Sequence, residues 1–225
     1  MKRILILTDS LSLPRSVPEN CDYEKTYPYL LKKYFANEIE FIHIGRGGYT
    51  LKQLYNSEIF YWKSTHFNLC FLHSGIVDCV PRALKKIELS VISRIPYASK
   101  LIPKITPFLR KVRKLTYLKK HEYAKYLKLY KDLYGDSLYF IEIIKPIELH
   151  EIRAPGITKN VEEYNNLAKV LNLQIIQMQS INNYHLMSDF HHLNERGHDE
   201  IFKALKKVIE SSLKRQDLHS IEYQK

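Results

Sequence analysis

Short, wholly apolar runs alternate along this chain with longer stretches of helical apolar spacing, and few folds accept that alternation. The apolar runs are "RILILT" (3–8), "IEFIHI" (39–44), "FNLCFLH" (67–73), "SLYFIEII" (137–144) and "LQIIQM" (173–178). Each is brief and bounded by turn residues, so it reads as a strand covered on both faces. Between them, 23–37, 51–62 and 159–172 space their apolar residues as helices do. The stretch 194–215 is a long amphipathic helix, with Ile201, Phe202, Leu205, Val208 and Ile209 on one face. Strands alternating with helices predict an α/β fold, a parallel sheet of about five strands covered on both sides. In such a sheet the polar work falls to loops beyond the carboxyl ends of the strands.

At 225 residues the chain predicts a single domain spanning 1–225, with no internal repeat. Its first apolar run stops after four residues at Thr8 and Asp9, too soon for a secretory signal, and no stretch is long enough to span a membrane. Cys21, Cys70 and Cys79 are odd in number and lack metal spacing, so reduced thiols in a cytoplasmic protein are expected.

The charge is uneven. Residues 82–132 hold 15 Lys and Arg against 3 Asp and Glu, a net +12, whereas the rest of the chain holds 20 against 21. Cationic and apolar positions interleave there, and Pro96, Pro103 and Pro107 predict two or three short helices instead of one rod. The segment reads either as a solvated face or as a surface for an anionic glycan or a membrane, which would make the protein peripheral to that membrane. No nucleic-acid module is recognisable, so no nucleic-acid partner is expected.

Four polar stretches mark the candidate site. "TDS", "GRGG" and "SGIVD" follow the first three strands, and "SDFHHLNERGHDEI" (188–201) follows the fifth after a loop. Ser10 stands directly after a buried strand, where it is either a nucleophile or part of a helix cap with Asp9. A serine nucleophile needs a base within hydrogen-bond reach, and the base needs an acceptor that fixes its tautomer. Asp189 and His192, three residues apart, offer that pair; their alternative is a polar loop with Asn194 capping the last helix. A metal held by His191, His192 and His198 is the rival chemistry, but adjacent histidines usually point apart and no helical zinc spacing is present. Asp78 and Arg82 bracket "DCVPR", either as a local network with an arginine that opens a helix, or as substrate-binding groups alongside Asp9. A planar guanidinium at Arg82 would suit an anionic substrate group.

In order and spacing, "ILTDSLS", "GRGGYT", "SGIVD" and "DFHHLNERGH" resemble the four motif blocks of the GDSL/SGNH hydrolases. The resemblance covers the chain except for the basic segment, which looks like a helical insertion over 82–134. It implies a flavodoxin-like three-layer α/β/α sandwich and ester hydrolysis with no metal or cofactor. It also implies Ser10 as nucleophile, His192 as base, Asp189 as the group orienting it, and Ser10 and Gly48 as backbone donors of an oxyanion hole. Two positions depart from the pattern. Thr8 stands where glycine is usual, and Val77 stands where an asparagine normally supplies the third oxyanion donor. The expected activity is therefore serine ester hydrolysis of an acylated small molecule or glycan, such as an O-acetyl sugar. The alternatives are an O-acyltransferase of the same fold, or a binding protein for anionic glycans or membranes that kept the fold.

Overall fold

The computed structural model describes the backbone of residues 1–92, 94–95 and 98–222, with the side chains of 86, 98–101, 103, 104 and 213–222 left undescribed. The chain runs β1 (Lys2–Thr8), α1 (Tyr27–Tyr34), β2 (Ile39–Gly45), α2 (Leu51–Trp62), β3 (Leu69–His73) and α3 (Ile76–Cys79). It continues through α4 (Lys86–Ile92), α5 (Ala98–Arg113), α6 (Lys120–Tyr134), β4 (Leu138–Ile141), α7 (Glu148–Arg153), α8 (Ile157–Val170), β5 (Gln174–Ile176) and α9 (Glu195–Glu222).

The five strands form one parallel sheet in the order β2-β1-β3-β4-β5. Successive side chains of a strand point to opposite faces, so β1 feeds two cores at once. Leu5 and Leu7 join Leu51, Leu54, Tyr123, Leu127 and Tyr164 on the side covered by α2, α6 and α8. Ile4 and Ile6 join Tyr27, Leu31, Ile201, Leu205 and Ile209 on the side covered by α1 and α9. All four β1 residues are essentially inaccessible to water, which is why "ILIL" needs no alternation. The result is the three-layer α/β/α sandwich that the sequence predicts.

Local chemistry sets several boundaries. Thr50 opens α2 with a capping box, its side chain accepting from the Gln53 N–H while Gln53 reaches back. β4 stops at Ile141 although the apolar run continues to Ile144. There α8 supplies a substitute strand edge: Asn165 accepts from the Ile143 N–H and donates to the Ile143 carbonyl, both at 2.9 Å.

The basic segment forms three helices, α4, α5 and α6. Its breaks do not all fall where the prolines predict, because α5 runs through both Pro103 and Pro107. Pro107 is exposed, so the carbonyl its missing N–H leaves unpaired can meet water. Pro96 lies outside the described residues. Part of the positive charge is neutralised locally: Arg113 makes a paired contact with Glu88 at 2.7 Å, and Lys128 bonds Asp132. Among the described residues no helix is long and apolar enough to cross a membrane.

Candidate active site

In a 2-1-3-4-5 sheet the strand order reverses between β1 and β3, and the crevice beyond their carboxyl ends is the usual ligand position. Ser10 follows β1 there. Asp9 accepts from the Leu11 N–H at 3.0 Å and caps a short 3-10 turn over Ser10–Ser12, which holds the Ser10 backbone fixed. Ser10 lies 2.9 Å from His192, Oγ to Nε2. At the other ring nitrogen, His192 Nδ1 is 2.5 Å from Asp189 Oδ2. Three residues from opposite ends of the chain thus form one continuous serine–histidine–aspartate relay.

The loop carrying the histidine is pinned from several directions. Asp189 Oδ1 accepts from the His191 and His192 N–H groups at 3.2 and 3.0 Å. The Met187 N–H donates to the His192 carbonyl at 2.8 Å, and Phe190 turns the chain with φ of 70°. Asn194 does cap α9, accepting from the Gly197 N–H at 3.1 Å, so the capping role and the relay coexist in one stretch. Burial alone would raise the Asp189 carboxyl, but the His192 hydrogen bond and the nearby His191 bring it below the usual carboxylate range. Asp189 therefore stays ionised and keeps the proton on His192 Nδ1, leaving Nε2 as the acceptor facing Ser10.

Ser12 makes a second serine–histidine contact, 2.7 Å to His43 Nε2. It is fully buried and not at the cleft, and burial pushes His43 down to about 4, so this pair is part of the packing. His198 sits apart from His191 and His192. Its Nδ1 faces the Tyr27 N–H at 3.4 Å, so the histidine trio read from sequence as a metal rival does not assemble. Asp189, His191 and His192 do lie within 4.8 Å of one another. However, both nitrogens of His192 are already engaged by Ser10 and Asp189, which leaves no free donor on that ring for a metal.

A cleft of about 650 Å³ opens over the relay and is bordered by Ser10, Gly48, Val77 and Arg82. Gly48 is exposed, with φ of 71° in the turn after β2. Val77 presents no polar side-chain atom there, so the third oxyanion donor is not supplied at this position. Asp9 and Asp78 do not border the cleft. Both are inaccessible, and Asp78 instead accepts from the Leu51 N–H at 3.0 Å, holding the start of α2. That corrects the reading of these two carboxyls as substrate-binding groups; their place is under the loops they tie down. Arg82 does reach the cleft, but it opens no helix, because it pairs in extended form with Leu115.

Sequence reasoning missed Arg15, Arg153 and His150 at the same cleft, and it weighed His191 there only as a metal ligand. Arg15 lies in the loop after the relay serine, so the loop rule for α/β sheets was the available signal for it, whereas Arg153 ends α7 and had none. His150 and His191 are stacked with ring centroids 5.8 Å apart, and burial followed by His192 holds His191 down at about 4.

No family model and no curated protein matches the sequence. Solved structures do match. A lipase/acylhydrolase from Enterococcus faecalis aligns with a TM-score of 0.64 at 13% identity, covering 94% of this chain and 96% of that one. An acetyl xylan esterase, AlAXEase, aligns at 0.58 and 15%, covering 92% and 99%. A member of the lipolytic G-D-S-L family from Veillonella parvula aligns at 0.56 and 15%, covering 92% and 98%. This chain has the SGNH-hydrolase fold. Within that fold the relay joins the ends of the first and last motif blocks, and the cleft is walled partly by the basic segment through Arg82, Arg110 and Tyr117.

Proposed function

We propose that the protein is a serine ester hydrolase. The observation that carries this reading is the Ser10–His192–Asp189 relay, with Ser10 Oγ 2.9 Å from His192 Nε2 at the floor of an open cleft. Ser10 Oγ attacks the acyl carbonyl as His192 Nε2 takes its proton. The tetrahedral oxyanion meets the Ser10 and Gly48 N–H groups. Collapse breaks the ester bond, and the alcohol leaves with the proton from His192. Water then attacks acyl-Ser10 with His192 again as base, releasing the acid and restoring the serine.

The acyl group we favour is acetyl, carried on a sugar or polysaccharide precursor. The fold likeness to an acetyl xylan esterase supports that choice, as does a cleft of about 650 Å³ lined by several polar and charged side chains. A fluorophosphonate probe on the purified chain tests the reaction class: label should appear on the Ser10 peptide and vanish in Ser10→Ala. Acetate release from acetylated sugars tests the substrate. No label and no acetate would end the hydrolase reading.

A further inference from the structure

Arg15, Arg82, Arg110 and Arg153 come from four separate parts of the chain and border the same cleft as Ser10. Arg3, Arg46 and Arg113 pair with Glu40, Glu58 and Glu88. Among the described residues, none of the four cleft arginines pairs with a carboxylate. Among the described residues their side-chain bonds go to carbonyls: Arg82 to Val77 at 3.2 Å, Arg110 to Arg153 at 2.6 Å and Arg153 to Ser188 at 3.3 Å. The Nε groups of Arg82 and Arg110 are buried and have no partner among the described residues.

Two of the guanidinium planes are fixed by aromatic rings. Tyr117 lies 4.2 Å from Arg82, and Phe190 lies 4.4 Å from Arg153. Stacking of this kind covers the face of the group and leaves its N–H edge for a ligand. Arg82 and Arg110 also feel one another: burial first, then the Arg82 charge, lowers Arg110 from its ordinary value. Asp78 does little to relieve them, because burial pushes its carboxyl well above the usual range and it is tied to Leu51. Asp189 is the remaining acid on the cleft, and it is bonded to His192. A partly desolvated cluster of like charges repels itself until an anion arrives.

We propose that the ester taken by this cleft bears its own negative charge, a carboxylate or a phosphate. That anion docks on Arg82 and Arg110, with Arg15 and Arg153 at its flanks. The proposal rests on the hydrolase reading above for the ester, but the anion site itself does not. Guanidinium forks bind both oxyanions in paired N–H···O geometry, and acidic sugars and sugar phosphates both present such groups. An ester with no charge would leave the facing positive charges of Arg82 and Arg110 uncompensated.

Three esters that share an acetoxyphenyl group separate these possibilities: methyl 4-acetoxybenzoate, 4-acetoxybenzoate and 4-acetoxyphenyl phosphate. Calorimetry on the full chain carrying Ser10→Ala measures binding without turnover. At least one charged ester should bind about tenfold or more tightly than the neutral one, and the larger advantage identifies carboxylate or phosphate. Adding Arg82→Gln or Arg110→Gln should erase most of that advantage. So should raising salt from about 0.1 M to about 1 M, where screening shortens from about 10 Å to about 3 Å. If either variant fails to fold, the other and the salt titration decide. Equal binding of all three esters overturns the proposal, as does a preference that survives both arginine variants and high salt. Turnover of the same esters by the unmodified chain is scored separately. Anion-selective binding without acetate release or probe labelling removes the hydrolase reading and keeps the anion site, whereas turnover blind to charge does the reverse.

Discussion

Asp189 holds His192 across only three residues, with Oδ2 at 2.5 Å from Nδ1 and Oδ1 on the His192 backbone N–H at 3.0 Å. One carboxylate thus fixes both the ring and the loop that presents it.

That double role separates chemistry from folding in Asp189→Asn. Asparagine keeps an oxygen for the backbone N–H groups, so the loop and the melting temperature should change little. The imidazole, however, loses the anion that sets its tautomer. In serine hydrolases of other folds this change costs about ten-thousandfold in kcat. We expect a loss of about that size in acetyl ester turnover, with KM nearly unchanged. A loss under about tenfold in a folded variant would mean that Asp189 serves only the loop.

Val77 is the position where the cleft departs from the motif that the sequence resembles. It borders the cleft beside Ser10 and has no side-chain donor. Removing one oxyanion donor typically costs about a hundred- to a thousandfold in kcat. Val77→Asn should therefore raise kcat on a small acetyl ester by at least about tenfold, since the new amide is not optimally placed. Initial rates at saturating substrate give the answer. An unchanged or lower kcat would show that another group already holds the oxyanion.

Asp9 gives the fold a pH dependence of defined sign. Burial pushes its carboxyl up to about 7, against the bond from the Leu11 N–H. In the unfolded chain it would ionise near about 3.9. Between those values the folded state holds a proton that the unfolded state has released, so this residue's contribution to stability falls as pH rises, then levels off above about 7. Asp9→Asn removes that burden while keeping an acceptor for Leu11, and its amide can donate to the Ser74 hydroxyl beside it. Urea midpoints should show the variant gaining on the parent from pH 4.5 to pH 8, by on the order of a few kcal/mol at the upper end. A difference that does not change with pH would place Asp9 outside this titration.

The sequence made the sheet legible because burial on both faces leaves a strand no polar positions, and "ILIL" of β1, short and bounded by turn residues, has that pattern. Ser10, Asp189 and His192 were legible because loops at strand ends concentrate chemistry and because the spacing of Asp189 and His192 suits one turn. Asp9 and Asp78 misled for the same reason: at a strand end a carboxylate that caps a turn looks like one that meets substrate, and only burial tells them apart. Arg15 could be reached only through the strand-end loop rule, and Arg153, the last residue of α7, carries no signal of that kind. Nothing in the sequence says that their side chains converge with Arg82 and Arg110. The end of β4 was hidden too, since the apolar run continues while Asn165, from a distant helix, takes over its backbone groups.

Gly75 links β3 to α3 at the cleft wall, and its conformation disfavours any side chain. It has φ of 137°, a region that L-residues rarely enter. A Cβ built there would stand 2.5 Å from Ile143 Cδ1 and 2.6 Å from the Tyr123 hydroxyl. Tyr123 cannot simply retreat, because its hydroxyl donates to the Ser74 carbonyl at 3.2 Å within the buried core. Backbone strain of this kind costs about 1–3 kcal/mol, and overpacking a tight core costs about as much again. Gly75→Ala should therefore destabilise the protein by roughly 2–5 kcal/mol in urea unfolding. A double-mutant cycle with Ile143→Ala divides the two causes, since removing the crowding Cδ1 relieves the contact with Ile143 but leaves the backbone strain. We expect a favourable coupling of about 1 kcal/mol or more between the two changes, with Gly75→Ala still costly in the Ile143→Ala background. A cost below about 1 kcal/mol for Gly75→Ala alone would show that the turn can relax into an ordinary backbone conformation without disturbing Tyr123.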